Sequence, residues 1–337
     1  MWADMARAAG SPSATLVLGF GRLPDPGVTA TPALTALRYA ALDAGLGDVS
    51  KIALIGPSQR PGCDLDYRFV QVLAGDEPRF ELRGSCGHSI LAACCVARRR
   101  GWTTADTVRV NVLNNGDLMT CRLTGESAGE QIWDVAVEQP PHTVVTDLLL
   151  TPDPQIRLRH SGRAVRASLV SAGNPYVFVP AADIGVTDPR RLLALDEPLF
   201  AGMSALREQA EALLGWPAGG AFPKIAALLP AGPGAVAVRA VSVPRWHPTM
   251  AVTGALCLAA AVNIPGTTSH LAAGADPAGY PSVTIHTAGG RRVATADVDR
   301  ASGALRSVGI RHSRVRALPP VPLPLPAPAD AVSGAYR

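Results

Sequence analysis

One stretch of this chain occurs twice. Cys86-Gly87-His88-Ser89-Ile90-Leu91-Ala92-Ala93 aligns without a gap with Thr253-Gly254-Ala255-Leu256-Cys257-Leu258-Ala259-Ala260. In both copies a small polar residue precedes glycine, Leu-Ala-Ala begins four positions after that glycine, and a further glycine, Gly101 or Gly266, follows. Helices this rich in Ala, Leu, Ile and Cys lack a broad polar face and must be buried on most of their circumference. A buried, duplicated turn-helix unit predicts two lobes, each with its own central helix, at 87–100 and 254–263. The length of 337 residues agrees, because one hydrophobic core stops growing near ~250–300 residues.

Strand-like runs bounded by turn residues surround both helices. They are expected at 15–19, 51–55, 67–73, 80–83, 107–112, 119–123 and 132–137, and again at 167–170, 176–179, 225–229, 235–243, 283–286, 292–297 and 305–315. Further helical patterns fall at 33–45 and 192–214. The expected organisation is a first lobe over 1–160 and a second over 161–318, whose last strand can return to the first. Prolines crowd 319–328, so an extended tail is expected over 319–337.

Composition narrows the class. With 47% hydrophobic and 17% charged residues the chain packs a core rather than remaining disordered. No apolar run reaches the ~18 residues of a spanning helix, so no membrane partner is expected. The net charge of +4 is spread thinly. Its densest run, Arg98-Arg99-Arg100, closes the first central helix, where cations face the negative end of the dipole, and has no interleaved aromatics. A nucleic-acid partner is excluded on that ground. Six cysteines without a CxxC pair give neither a zinc site nor a disulfide framework. Reduced thiols and the lack of a basic-apolar leader fit a cytoplasmic protein.

Both helices open on glycine, which lets backbone come close to a ligand. Their first amides and positive dipole ends form an anion site, so two of them facing each other would grip a small carboxylate. Ser85, Gly87 and His88 at one tip and Thr253, Gly254 and Ala255 at the other are the expected substrate-binding residues. Cys86 differs from the other thiols in standing at a helix N-terminus, where dipole and amides lower its pKa. Cys94, Cys95, Cys121 and Cys257 read instead as small core hydrophobes.

Here the chain resembles the PrpF-like family of 2-methylaconitate isomerases and oxalomesaconate tautomerases, over most of its length. Gly84-Ser85-Cys86-Gly87-His88 resembles the family's Gly-Asn-Cys-Gly-Asn signature, and Asp64 to Val72 the strand before it. Ser50-Lys51-Ile52-Ala53, Ala172-Gly173-Asn174-Pro175-Tyr176, Pro223-Lys224-Ile225-Ala226, His247 with Val252-Thr253-Gly254-Ala255, and Ile264-Pro265-Gly266-Thr267 follow in family order.

The resemblance implies an α+β, diaminopimelate-epimerase-like fold: two pseudo-symmetric lobes, each a mixed, barrel-like sheet around a central helix, with a small carboxylate substrate between them. It implies chemistry without metal, flavin or pyridoxal phosphate, in which a proton leaves an allylic carbon and returns elsewhere. It places the catalytic pair on Cys86 and Lys51. Without it, Lys51 would read as a strand-edge lysine facing water. Asn174 and Thr253 become substrate-orienting groups, although Gly173-Asn174-Pro175 also reads as a turn. His88 stands where the family has Asn, and either tunes the thiol, binds a carboxylate or is structural.

The match breaks near the N-terminus, where Arg7-Ala8-Ala9-Gly10-Ser11-Pro12-Ser13 stands for the family's Arg-Gly-Gly-Thr-Ser. With Ser85 and His88, this departure fits recruitment to specialised metabolism, on an unsaturated amino acid or cyclic imine acid as in alkylproline branches of antibiotic pathways. Two other readings compete. One is a cysteine hydrolase pairing Cys86 with His88 or His247, against which residues two apart on a helix do not face each other. The other is an inactive carboxylate-binding relative. A monomer or homodimer is compatible with a cleft built inside one chain.

Overall fold

The computed structural model describes residues 2–22 and 30–323. The first half of the chain runs β1 (Trp2–Ala8), β2 (Thr15–Gly19), α1 (Ala30–Asp43), β3 (Lys51–Pro57), β4 (Leu65–Val72), β5 (Phe80–Glu81), α2 (Gly87–Arg99), β6 (Thr107–Val112), β7 (Leu118–Ser127) and β8 (Glu130–Glu138). The second runs β9 (Ile156–His160), β10 (Arg163–Ala172), β11 (Asn174–Pro180), α3 (Pro189–Leu193), α4 (Glu197–Leu213), β12 (Lys224–Pro230), β13 (Ala235–Ser242), β14 (Arg245–Trp246), α5 (Val252–Ala261), α6 (Thr268–Ala272), β15 (Ser282–Thr287), β16 (Gly290–Val298) and β17 (Leu305–Pro322).

The pairings repeat. β1–β2, β3–β4, β6–β7 and β7–β8 are antiparallel while β2–β3 and β4–β6 are parallel. In the second half β10–β11, β12–β13, β15–β16 and β16–β17 are antiparallel while β11–β12 and β13–β15 are parallel, in the same order. β17 then leaves β16, continues along β8 and ends on β1, which closes the first lobe into a ring of eight strands. The corresponding seam of the second lobe is spanned by short bridges, Val144 to Ala304 and Leu149 to Val170. This is the α+β architecture that the family resemblance implied.

α2 and α5 fill the two lobes. Every residue of α5 is buried, and α2 is buried from Gly87 to Ala97. One continuous core joins Ile90, Leu91 and Val96 of α2 to Leu256, Leu258 and Ala260 of α5 through strand residues such as Val110, Trp133 and Ile285. Two satellite cores lie outside the sheets. One holds α1 through Leu34 and Leu37, the other α4 through Leu199, Met203 and Leu206.

Three expectations are corrected. The helix expected at 192–214 is two, α3 and α4. Asp188 and Asp196 each accept a backbone N–H of the helix that follows, with proline in its first positions, so Asp196 starts a new helix. The second central helix begins at Val252, not Gly254, so Thr253 and Gly254 lie inside its first turn. The tail expected from 319 begins later: β17 continues through Pro319 and Pro320 to Pro322. Leu318 stands opposite Met5 and Val321 opposite Ala3, and the two prolines between them coincide with a register shift, where missing N–H donors break no ladder. The rest of that tail, 324–337, lies outside the described residues.

Candidate functional site

β3 and β12 begin in the same way, as Lys51-Ile52-Ala53 and Lys224-Ile225-Ala226. Each lysine is the first residue of the strand paired in parallel with its lobe's second strand, Lys51 beside Thr15 and Lys224 beside Tyr176. The fold thus delivers two lysines, one per lobe, to the junction where α2 and α5 meet. There the tips press together: a Cβ on Gly87 would stand 2.5 Å from the Val252 side chain, so only glycine permits the approach. Gly254 is held likewise, since a Cβ there would collide with the Tyr176 hydroxyl.

Cys86 is the N-cap of α2, in extended conformation and 5% exposed. Its carbonyl accepts from the amides of Ser89 and Ile90, the intrahelical bonds that start α2. Gly87 and His88 therefore present the free amides of the tip. Burial pushes the Cys86 thiol up, but Lys51, Lys224 and hydrogen bonding from Ser89 outweigh it, and its pKa is lowered. Cys95 and Cys257 behave oppositely, raised by burial to about 11 and about 12.

Lys51 is buried, donates to Ser11 Oγ at 2.7 Å and has its pKa lowered, chiefly by burial, against the raising effect of Cys86. Lys224 is lowered for the same reason. Both amines are thus shifted towards the neutral form while the thiol is shifted towards the thiolate. That combination favours proton exchange between them.

His88 stacks on His247 with ring centroids 5.6 Å apart and planes 13° from parallel. Burial, with Lys51 adding to it in both, holds the two imidazoles well below their usual pKa, so they are neutral near pH 7. The Thr249 amide donates to His247 Nδ1 at 3.2 Å, which assigns the His247 proton to Nε2. Both ring nitrogens of His88 and the Ser85 hydroxyl are buried without a protein partner. Buried polar atoms are normally satisfied, and these three atoms at the tip of α2 are not.

Asn174 braces the tip rather than facing an opening. Its Oδ1 accepts from the Ser85 amide at 3.0 Å, and its Nδ2 donates to the Ser85 carbonyl at 2.7 Å and to Thr253 Oγ1 at 3.0 Å. All the hydrogen atoms of its amide are engaged, so it ties the loop before Cys86 to α5. The Ala255 amide is likewise spent within α5, on the Ala251 carbonyl at 2.9 Å, leaving Val252, Thr253 and Gly254 to offer the free amides.

Cys86, Lys51, Ser85, Gly87, His88 and Thr253 thus converge. Lys224, His247, Ser11 and Ser89 join them; the sequence offered His247 only as a partner of Cys86 in the hydrolase reading and gave the other three no role. The repeated Lys-Ile-Ala was a short signal for Lys224. Ser11 lies in the stretch of poorest resemblance, yet it holds Lys51.

The family model described as PrpF protein matches residues 114–317. The chain belongs to the PrpF family. This PrpF member is 30% identical over 286 residues to the (4E)-oxalomesaconate Delta-isomerase of Novosphingobium sp. strain KA1, covering 79% of this chain and 80% of that protein. It is 28% identical to the 4-oxalomesaconate tautomerase of Pseudomonas putida KT2440, covering 64% of this chain and 65% of that protein. It is 26% identical to the 2-methyl-aconitate isomerase of Cupriavidus necator, covering 72% and 75%. Like these relatives it is an isomerase. Among solved structures, a methylitaconate-delta-isomerase superposes with a TM-score of 0.67 at 20% identity, covering 95% of this chain and 94% of that one. A hydroxyproline epimerase from Agrobacterium vitis superposes with a TM-score of 0.60 at 16% identity, covering 94% and 90%. The fold is the diaminopimelate-epimerase-like one.

Proposed function

We propose that this PrpF member moves a proton and a double bond within a small unsaturated carboxylic acid, using Cys86 and Lys51 as acid and base. The observation that carries the reading is the buried Cys86 thiol, its pKa lowered by a lysine from each lobe, beside the unpartnered polar atoms of Ser85 and His88. Removing a proton from an allylic carbon sends its electron pair into a dienolate on the substrate carboxylate. Free amides of Gly87 and His88 and of Val252 to Gly254, at two positive helix ends, suit that charge. Returning the proton at the far allylic carbon completes the shift with no net redox change. One of the pair takes the proton and the other gives one back at the far allylic carbon.

Asn174 acts here as a positioning residue that fixes Cys86 against α5. Both halves of the site come from one chain, so a single chain suffices. The hydrolase reading finds no support: neither nitrogen of His88 is hydrogen bonded, and His247 Nδ1 is occupied by the Thr249 amide. The relatives named for oxalomesaconate and 2-methyl-aconitate suggest tricarboxylates as the first substrates to try. The departures at Ser85 and His88 add unsaturated amino acids and 2-carboxypyrroline-type acids, and with them a place in specialised metabolism.

Proton NMR of such a panel, incubated with desalted protein, tests the reading. Double-bond migration in at least one class, lost in Cys86→Ser and Lys51→Ala, is expected. A panel unchanged by wild-type protein, or isomerised equally by both variants, overturns it in favour of a carboxylate-binding role.

A further inference from the structure

Arginines crowd one recess at the lobe junction. It encloses about 620 Å³ and is lined by Ala9, Gly289, Arg291, Arg292, Val293, Arg311, His312 and Arg314. Ala9 belongs to the first lobe, 289–293 to the hairpin of β15 and β16, and 311–314 to β17 where it crosses between lobes. At that crossing β17 shifts register against β8 between Ile310 and Ser313, and His312 takes a φ of 53°. A bulge of this kind re-aims side chains, here Arg311 and His312.

The recess holds far more positive than negative charge. Arg314 has a distant ion pair with Glu130, at 3.7 Å. Arg291 and Arg311 make no ion pair and no side-chain hydrogen bond among the described residues. Arg292 is partly buried and donates to the Ala9 carbonyl at 2.9 Å, a neutral partner. Burial lowers its pKa, the mark of a guanidinium short of a counter-charge.

Arg292 also touches the catalytic site electrostatically, since it lowers the pKa of both His88 and His247. The wall between recess and imidazoles is thin. A Cβ on Gly10 would lie 2.8 Å from Thr249 Oγ1, and one on Gly289 would collide with the Thr249 methyl, so glycine on both sides lets the chains close on this residue. Thr249 in turn donates its amide to His247.

We propose that this recess is a binding site for small polycarboxylate anions beside the catalytic site, with Arg291 and Arg311 as outer guanidinium groups and Arg292 as the inner one. Guanidinium forks match carboxylates bidentately, and a concave basic surface raises the local concentration of anions. A ligand with two or three carboxylates satisfies the outer arginines and Arg292 together, which a monocarboxylate cannot. The inference rests on the isomerase reading for the identity of the anion.

Its test uses tricarballylate, a saturated tricarboxylate with no double bond to move, titrated calorimetrically into the full chain at low and high salt, with pentanoate as the single-charge control. Arg291→Ala with Arg311→Ala removes two exposed side chains outside the catalytic site. The expected result is affinity for tricarballylate at low salt falling about tenfold in the double variant. That difference should shrink at high salt, while pentanoate binding and the turnover number stay unchanged. Equal affinity in wild type and variant, no tricarballylate binding by wild type, or tighter binding of inorganic phosphate or a DNA oligomer than of tricarballylate overturns the assignment. These outcomes concern a non-reacting ligand, so they fail separately from the Cys86-dependent isomerisation.

Discussion

A thiol buried in an apolar core is a poor acid, and Cys86 is the exception because two cations reach it. Burial alone would place it with Cys95 and Cys257, whose pKa values are raised. Lys51 and Lys224 reverse the sign. The consequence for pH follows directly. Cations stabilise thiolate over thiol, so if the thiolate is the active form, kcat/KM rises with pH through a pKa below the ordinary thiol value. Lys224→Met removes one cation, so the acid limb should move to higher pH and the rate at pH 7 should fall. A pH–rate profile of the two proteins checks this, and an unmoved limb would mean that Lys224 does not tune the thiol. Cys86 was legible in the sequence because it precedes a glycine at a helix start. Lys51 was legible through family likeness alone. His247 entered only as a motif residue and as a partner of Cys86 in the hydrolase reading, because a stacked imidazole pair joins residues far apart in sequence.

At the scale of elements, the site is two helix tips held in register by one amide. Asn174 satisfies both backbone groups of Ser85 and reaches Thr253, so it bridges the lobes. Asn174→Ala leaves a buried N–H and C=O unpaired at about 1–3 kcal/mol each and frees the loop that presents Cys86. Turnover should drop about tenfold or more, with KM changing less and the acid limb unmoved. Steady-state kinetics across pH separates this positioning role from direct binding, which would raise KM and spare kcat. The start of α2 was readable from Cys86-Gly87, and the structure begins the helix at Gly87. α5 starts two residues early because its N-cap is Ala251, which carries no capping side chain, so no signal marked the boundary. β1 was passed over for a related reason. Its Ala3, Met5, Ala6 and Ala8 show neither β-branching nor alternation, and the strand exists because β2 and β17 flank it.

For the whole molecule, the repeat announced two lobes and the pairings reproduce them strand for strand. The seam was not announced, because β17 joins β16, β8 and β1 across nearly the full chain length, and such long-range pairing leaves no local trace. What the two lobes achieve together is a site neither could form alone: a thiol and a lysine from the first, a second lysine from the second, and a helix tip from each. If one of Cys86 and Lys51 removes the proton and the other delivers its own solvent-exchangeable hydrogen, turnover brings solvent hydrogen into the product. The most direct measurement is NMR of substrate and product after turnover in D2O, comparing wild type with Cys86→Ser and Lys51→Ala. Deuterium at the allylic carbons with wild type, and incorporation falling by a factor of about 10² to 10⁴ in either variant, is the predicted result. Isomerisation without solvent-derived deuterium, or incorporation indifferent to both changes, would contradict the account.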